Sequence, residues 1–295
     1  MDLSNKRMSF EFYPPKSFEG LNQLIDIAHR LSALSPAFFS VTFGAGGSTR
    51  QRTIETVTAL KQKLGMPIAP HLACVGFDRH ELMTLIEQYI AMGVNRLVAL
   101  RGDLPSGMVS SGDFELASDL VKFIRVVTGN YFHIEVAAYP ESHPQAATMQ
   151  TDILNLKRKY EMGSNSAITQ YFFNQDAYFY FMDECAKQQI NMPIYPGIMP
   201  IMQYERLKRF STVCGAEVPR WLAKRLESYG DDAEAVREFG LEFVGRLCER
   251  LLAGGAPGLH FYTLNESQAC LGIFEHLAGS GGVVQLVTEE AVEVA

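Results

Sequence analysis

No stretch of this chain approaches the ~20 consecutive apolar residues that a membrane helix needs. Its opening residues, MDLSNKRMSFEFYPP, lack the apolar core of a secretory leader. Cysteine is scarce: Cys74, Cys185, Cys214, Cys248 and Cys270 are odd in number, scattered and never spaced C-x-x-C. That usage argues against a disulfide scaffold and a structural zinc site. Free, mostly buried thiols in a reducing cytoplasm are expected, with no metal. Positive charge is also in short supply. A formal net charge of −7 and a pI near 5.6 argue against nucleic acid or an anionic membrane as partner, so a small molecule is expected. Ready-made phosphate motifs are missing as well: Gly44-Ala45-Gly46-Gly47 has neither the Lys of a P-loop nor the spacing of a G-x-G-x-x-G turn.

What is present is globular composition, 47% hydrophobic and 20% charged, over 295 residues. Eight short, almost continuously apolar runs recur: residues 8–13 (MSFEFY), 37–43 (AFFSVTF), 68–75 (IAPHLACV), 96–100 (RLVAL), 133–139 (HIEVAAY), 167–173 (AITQYFF), 194–199 (IYPGIM) and 259–264 (LHFYTL). Each reads as a strand buried on both faces. Helical spacing lies between them, as in Leu21, Leu24, Ile25, Ala28 and Leu31 or Leu82, Leu85, Ile86, Tyr89 and Ile90. Further helical stretches fall at 116–127, 146–161, 178–190 and 204–213. Strand–helix alternation repeated eight times in 295 residues, about 37 each, predicts an α/β fold, a (β/α)8 TIM barrel. It is expected as a single domain over 1–295, with its core at about 8–277 and a flexible tail at 278–295. Extra helices at 219–226 and 231–253 separate strands seven and eight, the second opened by the N-cap candidates Asp231 and Asp232.

In such a barrel, chemistry sits at the C-terminal strand ends. There the sequence offers Glu11, Thr42, His71, Arg101-Gly102-Asp103, Tyr139, Glu141, His143, Gln170 and Asn265-Glu266. Glu11 has two readings. It is a buried ion-pair partner of Arg101, or a carboxyl whose burial raises its pKa and fits it as a general acid. His71 reads as a binding rather than a proton-transfer residue, and Asp103 as either a site residue or a turn former. The basic run Lys157-Arg158-Lys159 reads as a solvated helix face or, lying near the mouth, as a phosphate contact.

Nine strings occur in order along the chain: FEFYPP, SVTFGAGG, PHLAC, VALRGDLP, VAAYPESHP, DILNLKRK, AITQYFF, PGIMP and HFYTLN. Together they resemble the methylenetetrahydrofolate reductases of the bacterial type over roughly residues 8–277. The resemblance implies a flavin-bearing barrel without a separate nicotinamide domain. Its implied reaction reduces 5,10-methylenetetrahydrofolate to 5-methyltetrahydrofolate in one-carbon metabolism and methionine synthesis. NADH or NADPH reduces bound FAD and leaves, and the folate takes its place in ping-pong order. Glu11 matches the family's acid and Asp103 the charge beside flavin and folate. Gln170 matches a residue contacting pterin and nicotinamide, Phe210 a stacking aromatic, and Thr42 a residue shared by ligand and flavin. Thr42, Phe43, Ala45, His71, Arg101, Gly102 and Asp103 match residues around the flavin ring and ribityl chain. Ala117, Tyr139, His143, Asp152, Asn155, Arg158 and Lys159 match those holding ribose, adenine and pyrophosphate. A homo-oligomer in the cytoplasm is the corresponding expectation.

Two positions depart from the family pattern. Glu266 stands where many members carry Arg, and a carboxylate there is expected to repel the acidic tail of a folate. Phe43 replaces a common Tyr. Three other readings compete: a proline-dehydrogenase-like flavin barrel, a Schiff-base aldolase and a folate- or flavin-binding protein without turnover. The aldolase is disfavoured because none of the eight runs holds an internal Lys.

Overall fold

The computed structural model describes residues 3, 5–43, 47–103 and 112–279, with the backbone alone for 47–49. All eight expected strands form among them: β1 (Arg7–Phe12), β2 (Phe38–Val41), β3 (Ile68–Ala73), β4 (Arg96–Leu100), β5 (His133–Ala138), β6 (Ser166–Tyr171), β7 (Ile194–Ile198) and β8 (Gly258–Tyr262). They pair in parallel and in chain order, and β8 returns to β1, so the barrel is closed. Each strand leads into a helix: α1 (Phe18–Ser32), α2 (Gly47–Leu64), α3 (Arg79–Ala91), α4 (Ala117–Thr128), α5 (Met149–Glu161), α6 (Gln175–Lys187) and α7 (Tyr204–Cys214). The extra helices α8 (Arg220–Glu227) and α9 (Ala233–Ala253) precede β8, and α10 (Gln268–Gly279) follows it. Of the expected flexible tail, 280–295 lies outside the described residues.

The local reasons are visible in the caps and stripes. Asp78 and Glu81 form a reciprocal capping box at the start of α3. Asp232 caps α9 by accepting from the Ala235 N–H. Leu24, Ala28 and Leu31 bury one face of α1. The apolar runs overshoot the strands at their C-terminal ends: Phe43, Cys74, Phe173 and Leu264 continue the pattern but lie beyond the ladder. There the chain turns at the mouth, and Phe43 and Leu264 line a cleft rather than a sheet. Among the described residues, no helix is long and apolar enough to cross a membrane.

Side chains alternate between the helix layer and the barrel interior. Phe38, Ala69, Val98 and Ile168 make a small apolar cluster inside the barrel. Below it Glu135, fully buried, meets Arg96, Ser166 and His133, whose Nε2 lies 3.2 Å away, while Arg96 covers the Phe38 ring at 4.6 Å. Burial pushes the Glu135 carboxyl up; His133, Arg96 and Ser166 outweigh it and hold the group below its ordinary range. Stability from this depressed group is present above the ordinary carboxylate value and is lost as pH falls below it. Arg96→Ala is expected to destabilise the protein by about 3 kcal/mol, because it strands a buried charge. Urea unfolding at neutral pH checks this; a loss under about 1 kcal/mol would remove Glu135–Arg96 from the account of barrel stability.

Candidate active site

Alternation on β1 turns Ser9 and Glu11 into the barrel. Closure then sets β8 beside them, with Ser9 opposite His260 and Glu11 opposite Tyr262. The carboxylate of Glu11 lies between two imidazoles: Oε2 is 3.3 Å from His71 Nε2 and 3.6 Å from His260 Nε2. His260 Nδ1 shares a 2.8 Å hydrogen bond with Ser9 Oγ. Two sequence expectations for Glu11 are thereby corrected. Its ion-pair partners are the two histidines, not Arg101, whose guanidinium instead donates to Gln145 Oε1 at 2.5 Å. Its pKa is lowered, not raised. Burial does push it up, but His71 and His260 outweigh burial and hold it at about 2.

Glu11 opens into a cavity of about 400 Å³ at the strand ends, which Thr42, Phe43, His71, Gln170 and Phe210 also line. Tyr262 crosses the wall and donates to Thr169 O at 2.7 Å. The crossing requires glycine at 197: a Cβ there would meet Thr169 O at 2.1 Å and the Tyr262 ring at 2.7 Å. Gln170 accepts from the Tyr171 N–H at 3.0 Å, which fixes its amide at the rim. Phe210 and Cys214, four apart on α7, both face the cavity.

A second cavity of about 370 Å³ adjoins the first; Leu100, Ala137 and Tyr139 line both. Arg101, Gly102, Asp103, Ala117, His143, Asp152, Asn155 and Lys159, all singled out in the sequence, line this arm. Gly102 has φ +84°, and a Cβ there would stand 2.9 Å from that of Ala73. Glycine therefore lets the end of β4 lie against β3, where the Cys74 and Val75 N–H groups both donate to Arg101 O. Asp152, in the first turn of α5, accepts from the His143 N–H at 2.8 Å. Lys159, two turns further along the same face of the helix, is buried and donates to Ala137 O at 2.5 Å. Burial brings its ammonium down to about 8 although Asp152 opposes the shift.

These features fit a dinucleotide cofactor such as FAD. The cleft has two joined arms, one of them holding a buried cation. The first residues of α4 line that arm, and Leu116 gives that helix no side-chain cap. Helix N-termini and cations are the groups a diphosphate needs. Two expected members stand apart. Arg158 is exposed and does not line the arm; it donates to Asn155 Oδ1 at 3.1 Å. Ala45 lies outside the described residues. Glu141 accepts from the Glu217 N–H at 2.8 Å, and Glu266 pairs with Arg206. Sequence reasoning missed His260, Ser9, Gln145 and Cys214. For His260 a signal existed: it is a polar residue at an inward position of the apolar run LHFYTL. Among the described residues, no group of three or more His, Cys, Asp or Glu side chains is placed so that it could hold a metal ion.

Fold and site together define a parallel (β/α)8 barrel with an acid–imidazole group at the floor of a long two-part cleft, the layout of a barrel enzyme for an extended ligand. The family model of methylenetetrahydrofolate reductase matches residues 1–278, and the chain belongs to that family. The 5,10-methylenetetrahydrofolate reductase of Escherichia coli (strain K12) is 40% identical over 277 residues, covering 94% of this chain and 92% of that one. Methylenetetrahydrofolate reductase (NADH) 1 of Arabidopsis thaliana is 36% identical over 282 residues, covering 91% of this chain and 48% of its own length. Among solved structures, a Clostridium thermocellum protein described as binding two copies of 5-methyl-5,6,7,8-tetrahydrofolic acid superposes with a TM-score of 0.68. It is 19% identical, covers 93% of this chain and 96% of its own, and shares the fold.

Proposed function

We propose that this chain reduces 5,10-methylenetetrahydrofolate to 5-methyltetrahydrofolate, with FAD in the two-part cleft and NADH or NADPH as donor. The observation that carries the reading is Glu11, set between His71 and His260 at the floor of a cavity that Gln170 and Phe210 share. Names of the relatives point to the same substrate, and the plant relative's name to NADH. Free cysteines, four of the five buried, suit a reducing compartment.

Residues such as Asp103, Asn155 and Lys159 would hold FAD in the cleft, where it would supply hydride transfer between the nicotinamide and the folate. The nicotinamide and the folate would bind in turn, a ping-pong order. The chain's own residues handle charge and position. The methylene bridge must open to an iminium cation before it accepts hydride, and opening needs a proton on the departing aryl-amine nitrogen. Glu11 holds that proton. Its depressed pKa belongs to the open site, where the histidines outweigh burial. Burial pushes the Glu11 carboxyl toward its protonated form, and a pterin and aryl ring covering the mouth would strengthen that push. Asp103 supplies negative charge for the cation, Gln170 hydrogen-bonds the pterin and Phe210 stacks on the ligand.

Visible absorption of the purified protein tests the reading. A yellow protein that bleaches with NADH under anaerobic conditions, and recolours with methylenetetrahydrofolate, is expected. Bleaching without recolouring would exclude the folate as acceptor. A colourless protein that gains no activity from added FAD would remove the flavin.

A further inference from the structure

We propose that a cavity on the flank of the barrel, between the start of α6 and the pair α8–α9, is a second binding site and takes an organic ammonium with an apolar or aromatic body. The inference is independent of the folate reading and goes beyond it.

The cavity measures about 610 Å³, larger than either arm of the cleft and within the range of about 300–1,000 Å³ that small-molecule sites occupy. Among the described residues it shares no lining side chain with either arm. Local pattern builds one wall. Phe239, Phe243, Arg246 and Arg250 recur at spacings of three and four along α9 and so lie on one face. Trp221 of α8 and Phe173, just before α6, close on that face. Phe243 is the hub: Trp221 meets it edge-on at 5.4 Å, Phe239 lies nearly parallel at 6.1 Å and Phe173 is tilted at 6.3 Å. Trp221 is 57% exposed, a large ring on the cavity wall whose further burial would be favourable.

The charges decide what those rings would hold. Glu141, Asp176, Glu217 and Glu242 line the cavity with Arg246 and Arg250, an excess of two negative charges. Both guanidiniums are engaged along the wall: Arg246 Nη2 lies 2.6 Å from Glu242 Oε1, and Arg250 Nη1 donates to Gln175 Oε1 at 3.4 Å. Among the described residues no cation pairs with Glu141, Asp176 or Glu217. Glu141 is half-buried and accepts the Glu217 N–H; burial, helped by the Glu217 charge, pushes its carboxyl up. A cation beside it would relieve that cost. Ring faces are electron-rich, so the aromatic wall and the carboxylates share one preference, and the same carboxylates turn an anion away. The molecule already uses this pairing at the edge of the wall, where the Arg225 guanidinium lies 5.7 Å from the Phe239 centroid. Among the described residues no cation covers Phe173, Trp221 or Phe243. An ammonium at Glu141 and Glu217, with its body on Trp221 and Phe243, would satisfy both groups.

Trp221 is the chain's single tryptophan, so its emission reports on this wall. Titrating the full chain at neutral pH with benzylammonium, benzyl alcohol and benzoate varies the charge on one ring. Benzylammonium is expected to change the emission saturably, with a dissociation constant on the order of a millimolar for so small a probe. The alcohol should bind about tenfold more weakly and benzoate not at all. Glu141→Gln keeps an acceptor for the Glu217 N–H and should weaken benzylammonium about tenfold, leaving the alcohol unchanged. Arg246→Gln, which releases the Glu242 carboxylate, should tighten it several-fold. Equal response to all three probes, a preference for benzoate, or no effect of Glu141→Gln would overturn the inference. So would an equal loss in Glu11→Gln, which would place the probe at the mouth.

Discussion

Glu11→Gln is expected to leave reduction by NADH intact and to slow the folate half-reaction by about 10²–10⁴-fold, the usual contribution of a positioned acid. The reasoning runs through the proton. Gln has nearly the shape of Glu and can still face His71 and His260, so the cavity keeps its form. It cannot carry a proton to the aryl-amine nitrogen, and only the folate half-reaction needs one. Anaerobic stopped-flow absorbance separates the halves: bleaching by NADH in one syringe, recolouring by methylenetetrahydrofolate in the other. Equal slowing of both would mean that Glu11 shapes the cofactor site and is no acid. A thermal scan completes the test. Glu11 is held at about 2, below its ordinary carboxylate value of 4.5, so its contribution to stability is present above about 4.5 and is lost as pH falls toward 2. The variant should therefore be less stable than wild type at neutral pH, and the gap should close in acid.

Asp103→Asn is expected to slow the folate half-reaction about a hundredfold, the scale on which removal of one preorganised electrostatic partner acts. Asp103 follows Gly102 at the end of β4 and lines the second arm of the cleft. Its charge reaches the mouth. Tyr139 is pushed up to about 12 and Cys214 is also raised, each mainly by burial and each with help from Asp103. The same field favours a cation on the folate. Asn keeps the size and removes the charge, so loss here is electrostatic. A second readout is independent of turnover: without Asp103 the Cys214 thiol should ionise at lower pH, visible as a downward shift in the pH profile of its alkylation. An unchanged folate half-reaction beside a shifted thiol would show that the field is real and catalytically idle.

The barrel was legible because it rests on local pattern. A strand covered on both faces must be apolar throughout, and a helix covered on one must show spacings of three and four; both periods are written in consecutive residues. Eight such alternations define the architecture, the two extra helices before β8 included. The site was legible in part for the same reason. Polar residues at the C-terminal ends of apolar runs converge at the mouth of any such barrel, so Glu11, Thr42, His71, Gln170 and the Arg101–Asp103 segment came together as expected. The family resemblance added Asn155 and Phe210, whose places in the cleft no spacing announces.

What the sequence by itself determined is therefore the period of each element, the order in which elements alternate and the chemical types available at the mouth. Tertiary structure alone decided how those types pair and ionise. Ser9 and His260 stand 251 positions apart and meet because β8 closes on β1. That closure delivers the second imidazole to Glu11, where it joins His71, the larger influence, in turning an expected rise in pKa into a fall. Arg206 and Glu266, 60 positions apart, meet because the turn after β8, which Asn265 ties to Tyr13, faces the outer end of α7. Periodicity acts between neighbours in the chain, whereas a charge responds to whatever lies within a few ångströms. Those distances exist only once the barrel has closed.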